Sequence, residues 1–214
     1  HTLIYQSGGS VKTLWHVSYV VGVLTTIIIT ARCGSRTQGE SAIQFCNPCK
    51  TFVTNTVQQG NFGSAANADA ICQADANKPS TGNYKAMLGY TNGTRVACTT
   101  ANCSGGTGEH TDWVFRPNTS YVRSDGSTVI GTTNSMGLFT FPLLNSYSDS
   151  ASYVWTGIEA DWTTATDQDC ANWTSTAAFA PPAAESGITN AIDSTALSYG
   201  HNCSSSLSLL CVEQ

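Results

Sequence analysis

The chain has 214 residues, of which 41% are hydrophobic and only 11% are charged, and its formal net charge at pH 7 is -5. A chain of this length can bury one sizeable core, and its wealth of Ser, Thr, Asn and Gly is typical of a loop-rich secreted β protein rather than a helical cytosolic enzyme. All nine Lys and Arg residues lie at or before Arg123, so the second half lacks the positive charge that binding to nucleic acid, heparin-like polyanions or acidic lipid requires.

The N-terminal segment has the pattern of an export signal. Lys12 and His16 precede an uncharged, mostly apolar run over residues 17–30, which stops before Arg32 and Cys33. The run is shorter than the roughly 20 apolar residues that a membrane-spanning helix needs. We therefore predict an export segment, either a signal peptide or a lipoprotein signal, over residues 1–33.

Cys33 is a candidate lipidation site. Small or apolar residues followed by a cysteine are typical of the bacterial lipoprotein processing site, after which the cysteine becomes the lipidated first residue. Arg32 departs from the small residue that usually precedes the cysteine. Lipidation of Cys33 is the favoured interpretation, and plain secretion and an uncleaved anchor are the alternatives.

Residues 34–49 predict a polar tether that ends in Cys46-Asn47-Pro48-Cys49. This CxxC spacing is compatible with a redox motif or with half of a zinc site, but no second CxxC and no pair of histidines supplies the other half. In an exported chain, a local disulfide between Cys46 and Cys49 is the favoured interpretation.

The next part of the chain predicts a strand, a helix and a second strand. Residues 50–54 alternate apolar and polar side chains, as a half-buried strand does. Ser64 offers an N-cap to an amphipathic helix over residues 65–76, with Cys72 on its inner face. Residues 84–90 predict the second strand.

Short apolar segments and turn signals follow. Cys98 and Cys103 predict a second local disulfide beside a glycine-rich loop. Further strands are predicted over residues 112–115, 121–131, 138–142 and 152–158, the second being a hairpin with Asp125-Gly126 as its turn. The span 174–198 is rich in Ala, Pro, Ser and Thr without a clear period, and it predicts a long surface loop.

The nine cysteines are an odd number, and the simplest partition is one lipidated residue plus four disulfides. With Cys33 and the two local pairs assigned, four cysteines remain, namely Cys72, Cys170, Cys203 and Cys211. The sequence alone permits three pairings of these four.

Several motifs in a fixed order carry a resemblance to a known family. They include Cys72-Gln73-Ala74-Asp75-Ala76, Gly137-Leu138-Phe139-Thr140-Phe141-Pro142, Val154-Trp155-Thr156-Gly157, Asp169-Cys170-Ala171-Asn172-Trp173 and Leu210-Cys211-Val212-Glu213. From Lys50 to the end, their order and spacing resemble endostatin, the domain released from a vertebrate basement-membrane collagen. The spirochaete surface lipoproteins called leptospiral endostatin-like proteins match more closely, because they share Lys50-Thr51-Phe52-Val53-Thr54 as well.

The resemblance implies an α+β, C-type-lectin-like domain over residues 50–214, in which one main helix packs on a twisted antiparallel sheet. It also implies nested disulfides that join Cys72 to Cys211 and Cys170 to Cys203. The longer bridge would tie the first helix to the last strand. By the loop-entropy estimate, each of the two would contribute roughly 4 kcal/mol to stability.

Some properties of the related families do not carry over. The region after Arg123 has no cations for a heparin-binding face, and only His110 and His201 follow the predicted export segment, whereas endostatin's zinc site depends on N-terminal histidines. No Glu-Pro-Asn or Gln-Pro-Asp motif of calcium-dependent lectins stands between Trp173 and Cys203. We therefore predict no metal and no cofactor.

No catalytic constellation is recognisable in the sequence. Asp161, Asp167 and Asp169 lie close together, but a solvated acidic loop is favoured over a calcium site. His110 with Asp112 lacks a Gly-x-Ser-x-Gly elbow and a third partner, so we predict that the protein is not an enzyme.

The predicted function is adhesion. The resemblance implies a lipid-anchored protein of the bacterial outer membrane or cell surface that binds host extracellular-matrix or plasma proteins, such as laminin, fibronectin, plasminogen or a complement regulator. Loops 91–111 and 174–200 would present the contacts, and Trp162 with Asp161 is the candidate ligand-binding pair, because its polar neighbours favour a surface position. The alternative is a carbohydrate-binding or structural cell-envelope module without a host partner.

Overall fold

The structure is a computed structural model and describes residues 4–7, 10–13, 45–177 and 184–214. The chain divides into two compact units, His1–Ala42 and Ile43–Gln214. In the first unit, β1 (Ile4–Ser7) and β2 (Ser10–Thr13) form an antiparallel hairpin. The predicted export run over residues 17–30 and the predicted lipidation site Cys33 lie outside the described residues.

The described part of the second unit is built on one sheet. Its strands are β3 (Cys49–Val53), β4 (Tyr84–Ala86), β5 (Ser120–Arg123), β6 (Val129–Thr132), β7 (Tyr153–Trp155), β8 (Ala184–Ile188), β9 (Tyr199–His201) and β10 (Ser208–Glu213). Its helices are α1 (Ala65–Ala74) and the single turn α2 (Cys170–Trp173), with 3-10 turns at Ala101–Cys103, Thr107–Glu109 and Ser194–Ala196. The unit therefore has the predicted α+β architecture.

The strands are ordered β6-β5-β3-β10-β7-β8-β9, and β4 shares one edge of β10 with β7. Most neighbours are antiparallel, but β3 with β5 and β7 with β10 are parallel. The prediction of an antiparallel sheet is therefore wrong at these two pairings. In each case a long connection returns the chain to the same end of the sheet, as parallel pairing requires.

The central strand β10 is buried on both faces. Because alternate side chains of a strand point to opposite faces, Leu209 and Cys211 lie in one core cluster, whereas Leu210 and Val212 lie in the other. We call the first the helix-side core, since it contains residues of α1, and the second the loop-side core. Burial on both faces explains why the sequence of β10 is almost continuously apolar.

Helix α1 begins where Ser64 accepts a hydrogen bond from the main-chain N–H of Asn67, 3.3 Å away. Its buried face carries Ala68 and Cys72, as predicted. The helix ends two residues earlier than predicted, because the carboxylate of Asp75 accepts main-chain N–H bonds from Asn55 and from two other residues outside the helix. Among the described residues, no helix is long and apolar enough to cross a membrane.

Several predicted strands are shorter than expected or absent. Residues 84–90 contribute only β4, and the hairpin of β5 and β6 forms as predicted, with Gly126 in the left-handed region at its turn. Residues 112–115 and 138–142 are irregular rather than strands. Their apolar side chains fill the loop-side core, but Asp112 and Gly137 have positive φ angles that interrupt extended backbone.

The span 174–198, predicted as a long surface loop, contains the strand β8, and β9 follows directly after it. The small side chains of β8 are buried because its backbone passes very close to its neighbours: a Cβ atom on Gly187 would lie 2.1 Å from the carbonyl oxygen of Ala196. The Ala, Ser and Gly content of this segment therefore reflects close packing and not solvent exposure.

Four disulfides clamp the second unit, namely Cys46–Cys49, Cys72–Cys211, Cys98–Cys103 and Cys170–Cys203. These are the two local pairs predicted from spacing and the two nested pairs implied by the resemblance. The bridge from α1 to β10 closes a separation of 139 residues, and the bridge from α2 to the segment before β10 closes one of 33. The long bridge covalently joins the first helix of the domain to its last strand.

Candidate binding surface

Three aromatic side chains meet at the surface beside the edge strand β9. The ring centroids of Tyr153 and Tyr199 are 5.6 Å apart, and that of His201 lies 4.3 Å from Tyr153 and 5.5 Å from Tyr199. The exposed fraction is 37% for Tyr153 and 45% for Tyr199. We call Tyr153, Tyr199 and His201 the aromatic patch.

The strand register places the aromatic patch on one face of the sheet. Trp155 pairs with Ser186, and Ser186 pairs with Tyr199. Cross-strand partners point to the same face, and so do residues two positions apart, so Tyr153 and His201 share this face as well. Because Trp155 belongs to the helix-side core, the aromatic patch continues that core to the surface.

A buried hydroxyl fixes the ring of His201. The Oγ–H of Ser186 donates to the main-chain carbonyl of Tyr199, and Oγ lies 2.9 Å from Nδ1 of His201. Since the hydroxyl hydrogen is already used, Nδ1 of the neutral imidazole is the donor. Burial lowers the pKa of His201, which favours the neutral ring. Ser186 therefore orients the imidazole and is not arranged as a nucleophile that His201 would activate.

Trp162, predicted to be an exposed contact, is buried with an exposed fraction of 1%. Its indole N–H donates to the main-chain carbonyl of Phe139 at 3.2 Å, and its ring stacks on Phe141. The polar neighbours of Trp162 do not indicate that Trp162 is exposed. Asp161 accepts hydrogen bonds from the N–H and hydroxyl of Thr163 and so forms a turn. That turn directs Trp162 into the loop-side core.

The other acidic residues near Trp162 also serve local structure. Asp169 is almost fully buried, and its carboxylate accepts main-chain N–H bonds from Asn172 at 2.9 Å and Thr91 at 2.7 Å. Asp167 is exposed and has a positive φ. In the part of the chain that the structure describes, no group of three or more His, Cys, Asp or Glu side chains is placed to hold a metal ion.

His110 and Asp112 do not act together. Nε2 of His110 lies 2.8 Å from the main-chain carbonyl of Met136, whereas Asp112 faces Arg95. The guanidinium of Arg95 is buried and contacts both carboxylate oxygens of Asp69 at 2.8 Å and one of Asp112 at 2.5 Å. Burial alone would lower the pKa of Arg95, but the two carboxylates raise it. No sequence pattern indicated this network, since Arg95 is 26 residues from Asp69 and 17 residues from Asp112.

Loop 91–111 is held by its own polar contacts. The carboxylate of Glu109 accepts hydrogen bonds from the hydroxyls of Thr99 and Thr100, from their main-chain N–H groups and from the N–H of Gly105. The bond from the Thr100 hydroxyl, with those from the main chain, lowers the pKa of Glu109 to about 2. Together with the disulfide Cys98–Cys103, these bonds give the loop one defined shape.

A polar groove of about 690 Å³ lies between the end of β3, the end of β5 and residues 147–152. The polar side chains on its walls include Asn55, Asn77, Asp149 and Ser152, and the rings of Phe52 and Tyr147 also line it. Arg123 is tied back by an ion pair with Asp149 and by a 2.8 Å bond to the carbonyl of Ser146. Hydroxyl, amide and carboxylate groups thus line the groove, and these groups suit a ligand rich in hydroxyl groups.

A family model described as "Protein of unknown function (DUF1554)" matches residues 55–191. The matched region starts after β3 and includes α1, α2 and the strands β4 to β8, so it contains Tyr153 and Ser186, while Tyr199 and His201 lie beyond it. No curated protein matches the chain. Because the match covers more than half of the chain, the protein belongs to the DUF1554 family.

Proposed function

We propose that the protein is an exported bacterial surface protein that binds host extracellular-matrix or plasma proteins, with laminin, fibronectin, plasminogen and a complement regulator as the partners to test. The aromatic patch is the observation that carries this proposal. Tyr153 and Tyr199 are each more than a third exposed, and they pack against an imidazole whose orientation is fixed. Rigid exposed aromatic rings are typical interface anchors, because they bury a large area with little loss of conformational entropy.

The scaffold proposed for this surface is an endostatin-like variant of the C-type-lectin fold. The packing of α1 on the sheet and the nesting of Cys170–Cys203 within Cys72–Cys211 support it. A domain clamped in this way keeps its loops and its aromatic patch in one arrangement, so partner binding loses little entropy.

We also propose lipidation at Cys33 and display at the outer membrane or cell surface. Four disulfides in one domain support export, since such bonds persist in oxidising compartments. Labelled palmitate should enter the protein in a bacterial host and should not enter a Cys33→Ser variant. Equal labelling of the two would refute lipidation at this residue.

The experiment that tests the function is binding of the purified oxidised protein to immobilised laminin, fibronectin, plasminogen and a complement regulator, in parallel with a glycan array. We expect saturable binding to at least one of the proteins, with no glycan signal. The reduced and alkylated protein is the control, because it lacks the fold that presents the aromatic patch. The proposal is contradicted if none of the four proteins shows saturable binding.

The polar groove favours a second candidate, a carbohydrate-binding module. Its walls offer Asn55, Asn77, Asp149 and Ser152 to a ligand rich in hydroxyl groups. This candidate is favoured over adhesion to host proteins if the wild type binds glycans but none of the host proteins, and if the Asn55→Ala/Asn77→Ala variant loses the glycan signal.

A further inference from the structure

We propose that the open edge of β9 binds an extended, basic segment of the partner protein as an added antiparallel strand, with its Arg or Lys side chains stacked on the aromatic patch. The proposal rests on the proposed function, because it specifies the partner chemistry of the same surface. Strand addition of this kind draws affinity from main-chain hydrogen bonds and specificity from alternate side chains.

The main-chain groups of Gly200 provide the hydrogen bonds. Gly200 pairs with Glu185 across β8 and β9, but the N–H of Glu185 donates to Gln168 and its carbonyl accepts from Thr156 and Gly157. Glu185 therefore turns both of its main-chain groups away from β9. In this antiparallel ladder Gly200 lies opposite Glu185, so Gly200 points its own N–H and carbonyl to the outer edge of β9.

The outer edge of β9 is accessible at this point. Gly200 and Tyr199 are exposed, and among the described strands β9 pairs only with β8. Among the described residues, no loop or turn bond involves the main-chain N–H or carbonyl of Gly200. The opposite edge strand differs, because Leu144 donates its main-chain N–H to the carbonyl of Ile130 and so occupies the outer edge of β6. An edge with free polar groups is a template for pairing with another chain.

The aromatic rings flank this backbone position. Tyr199 and His201 lie on either side of Gly200 and point to the same face, with Tyr153 packed against both. A strand paired opposite Gly200 would place the side chains of its two flanking residues on that same face. Those side chains would contact the exposed rings, whereas the residue opposite Gly200 would point to the other face.

Charge decides which side chains fit. No Lys or Arg occurs after Arg123, and the charged residues of the segment that forms β8, β9 and β10 are Glu185, Asp193 and Glu213. Arg and Lys side chains are attracted both by the formal net charge of -5 that the whole chain carries and by the faces of tyrosine rings. A second copy of this acidic chain would meet like charge, so a basic partner is favoured over self-association through β9.

The probe is a fluorescein-labelled peptide of the sequence Arg-Thr-Arg-Thr-Arg-Thr, and its fluorescence anisotropy is measured with the oxidised protein. We expect saturable binding and at least a tenfold loss of affinity when Glu replaces every Arg. Methylation of the main-chain nitrogen of the Thr residues should abolish binding, because Thr would lie opposite Gly200, whereas methylation at the Arg residues should not. Equal binding of the Arg and Glu peptides, or loss on methylation at Arg alone, would overturn the proposal.

Matched variants locate the site on the protein. A Tyr153→Ser/Tyr199→Ser variant should bind the peptide at least tenfold more weakly, while Val129→Ser, which changes a 37% exposed side chain on the opposite edge strand β6, should bind as the wild type does. Circular dichroism of each variant checks the fold. Unchanged peptide binding by the folded double variant would overturn the proposal. If the wild type binds laminin or fibronectin but not the peptide, the proposed function stands and this inference fails.

Discussion

Among single residues, Arg95 is the most deeply buried charged residue in the described part of the chain. Its side chain is 1% exposed, and it joins Asp69 of α1, Asp112 and the main-chain carbonyl of Ala86 in β4. A buried guanidinium is tolerated only when its donors and its charge are matched. Arg95 therefore fixes the helix to the loop that carries Asp112.

Replacement of Arg95 by Met should lower the free energy of unfolding by about 3 to 5 kcal/mol, because Asp69 loses its cation and Asp112 keeps only Lys85. The matched control is Lys85→Met, which removes a second cation beside Asp112 at a side chain that is 35% exposed. That change should cost less than about 1 kcal/mol. Urea unfolding of the oxidised proteins measures both, and equal losses would contradict a special role for Arg95.

Glu185 makes the stability of the protein depend on pH. Burial and the nearby charge of Glu159 raise its pKa, and one of its carboxylate oxygens has no hydrogen-bond partner among the described residues. A raised pKa means that the folded state binds the proton more tightly, so this contribution is present below the ordinary pKa of 4.5 and is lost as the pH rises through the folded value.

Glu185→Gln should therefore raise the midpoint of thermal unfolding by a few degrees at pH 7.5 and leave it almost unchanged at pH 4. Differential scanning calorimetry at both pH values measures the shift. Asp149→Asn is the control, since that carboxylate is 90% exposed in its side chain. A midpoint for Glu185→Gln that is lower than the wild type at pH 7.5 would contradict this account.

Among elements, β8 shows why some of the fold could not be predicted from the sequence. Alternation of apolar and polar residues predicted β3, and helical spacing predicted α1, because one face of each element is buried. The Asp125-Gly126 turn signal predicted the β5–β6 hairpin. Three of the five residues of β8 are small, and the strand carries no such alternation, since both faces are closely packed. For residues 112–115 and 138–142 the error was the opposite one, because strands were predicted where the chain is irregular. The apolar side chains of these segments are buried, but apolar content does not determine whether the backbone is extended.

The same limit applies to the candidate surface. Tyr153 and Tyr199 are far apart in the sequence, and only the pairing of β7 with β8 and of β8 with β9 brings them together. Trp162 was predicted to be an exposed contact residue because its neighbours are polar, but those neighbours form a turn that buries it. The cysteines were the better guide, because a disulfide links residues at any sequence distance.

The close approach of β8 to the 3-10 turn at Ser194–Ala196 can be tested with one methyl group. Gly187→Ala should destabilise the domain by about 1 to 3 kcal/mol, since the added Cβ would meet the carbonyl of Ala196 at 2.1 Å. Gly108→Ala is the control, because its Cβ would meet no atom within 4 Å. Urea unfolding compares the two, and a neutral Gly187→Ala would show that β8 does not pack in this way.

At the scale of the whole molecule, the long disulfide between α1 and β10 holds the domain closed. By loop entropy, the bond across 139 residues should contribute about 4 to 5 kcal/mol and the local bond Cys98–Cys103 about 2 kcal/mol. Thermal unfolding of Cys72→Ser/Cys211→Ser should therefore show a clearly larger loss of stability than that of Cys98→Ser/Cys103→Ser. The reverse order would contradict the clamp.

The central claim is that this clamped domain binds its partner through the aromatic patch. The most direct measurement is the equilibrium dissociation constant for the host protein that the wild type binds, determined for the wild type and for Tyr153→Ser/Tyr199→Ser. The control is Leu144→Ser, which changes an apolar side chain that is 71% exposed elsewhere on the surface. Loss of two interface anchors should weaken binding by at least about tenfold, while Leu144→Ser should leave it unchanged. A folded double variant that binds with wild-type affinity would contradict the account.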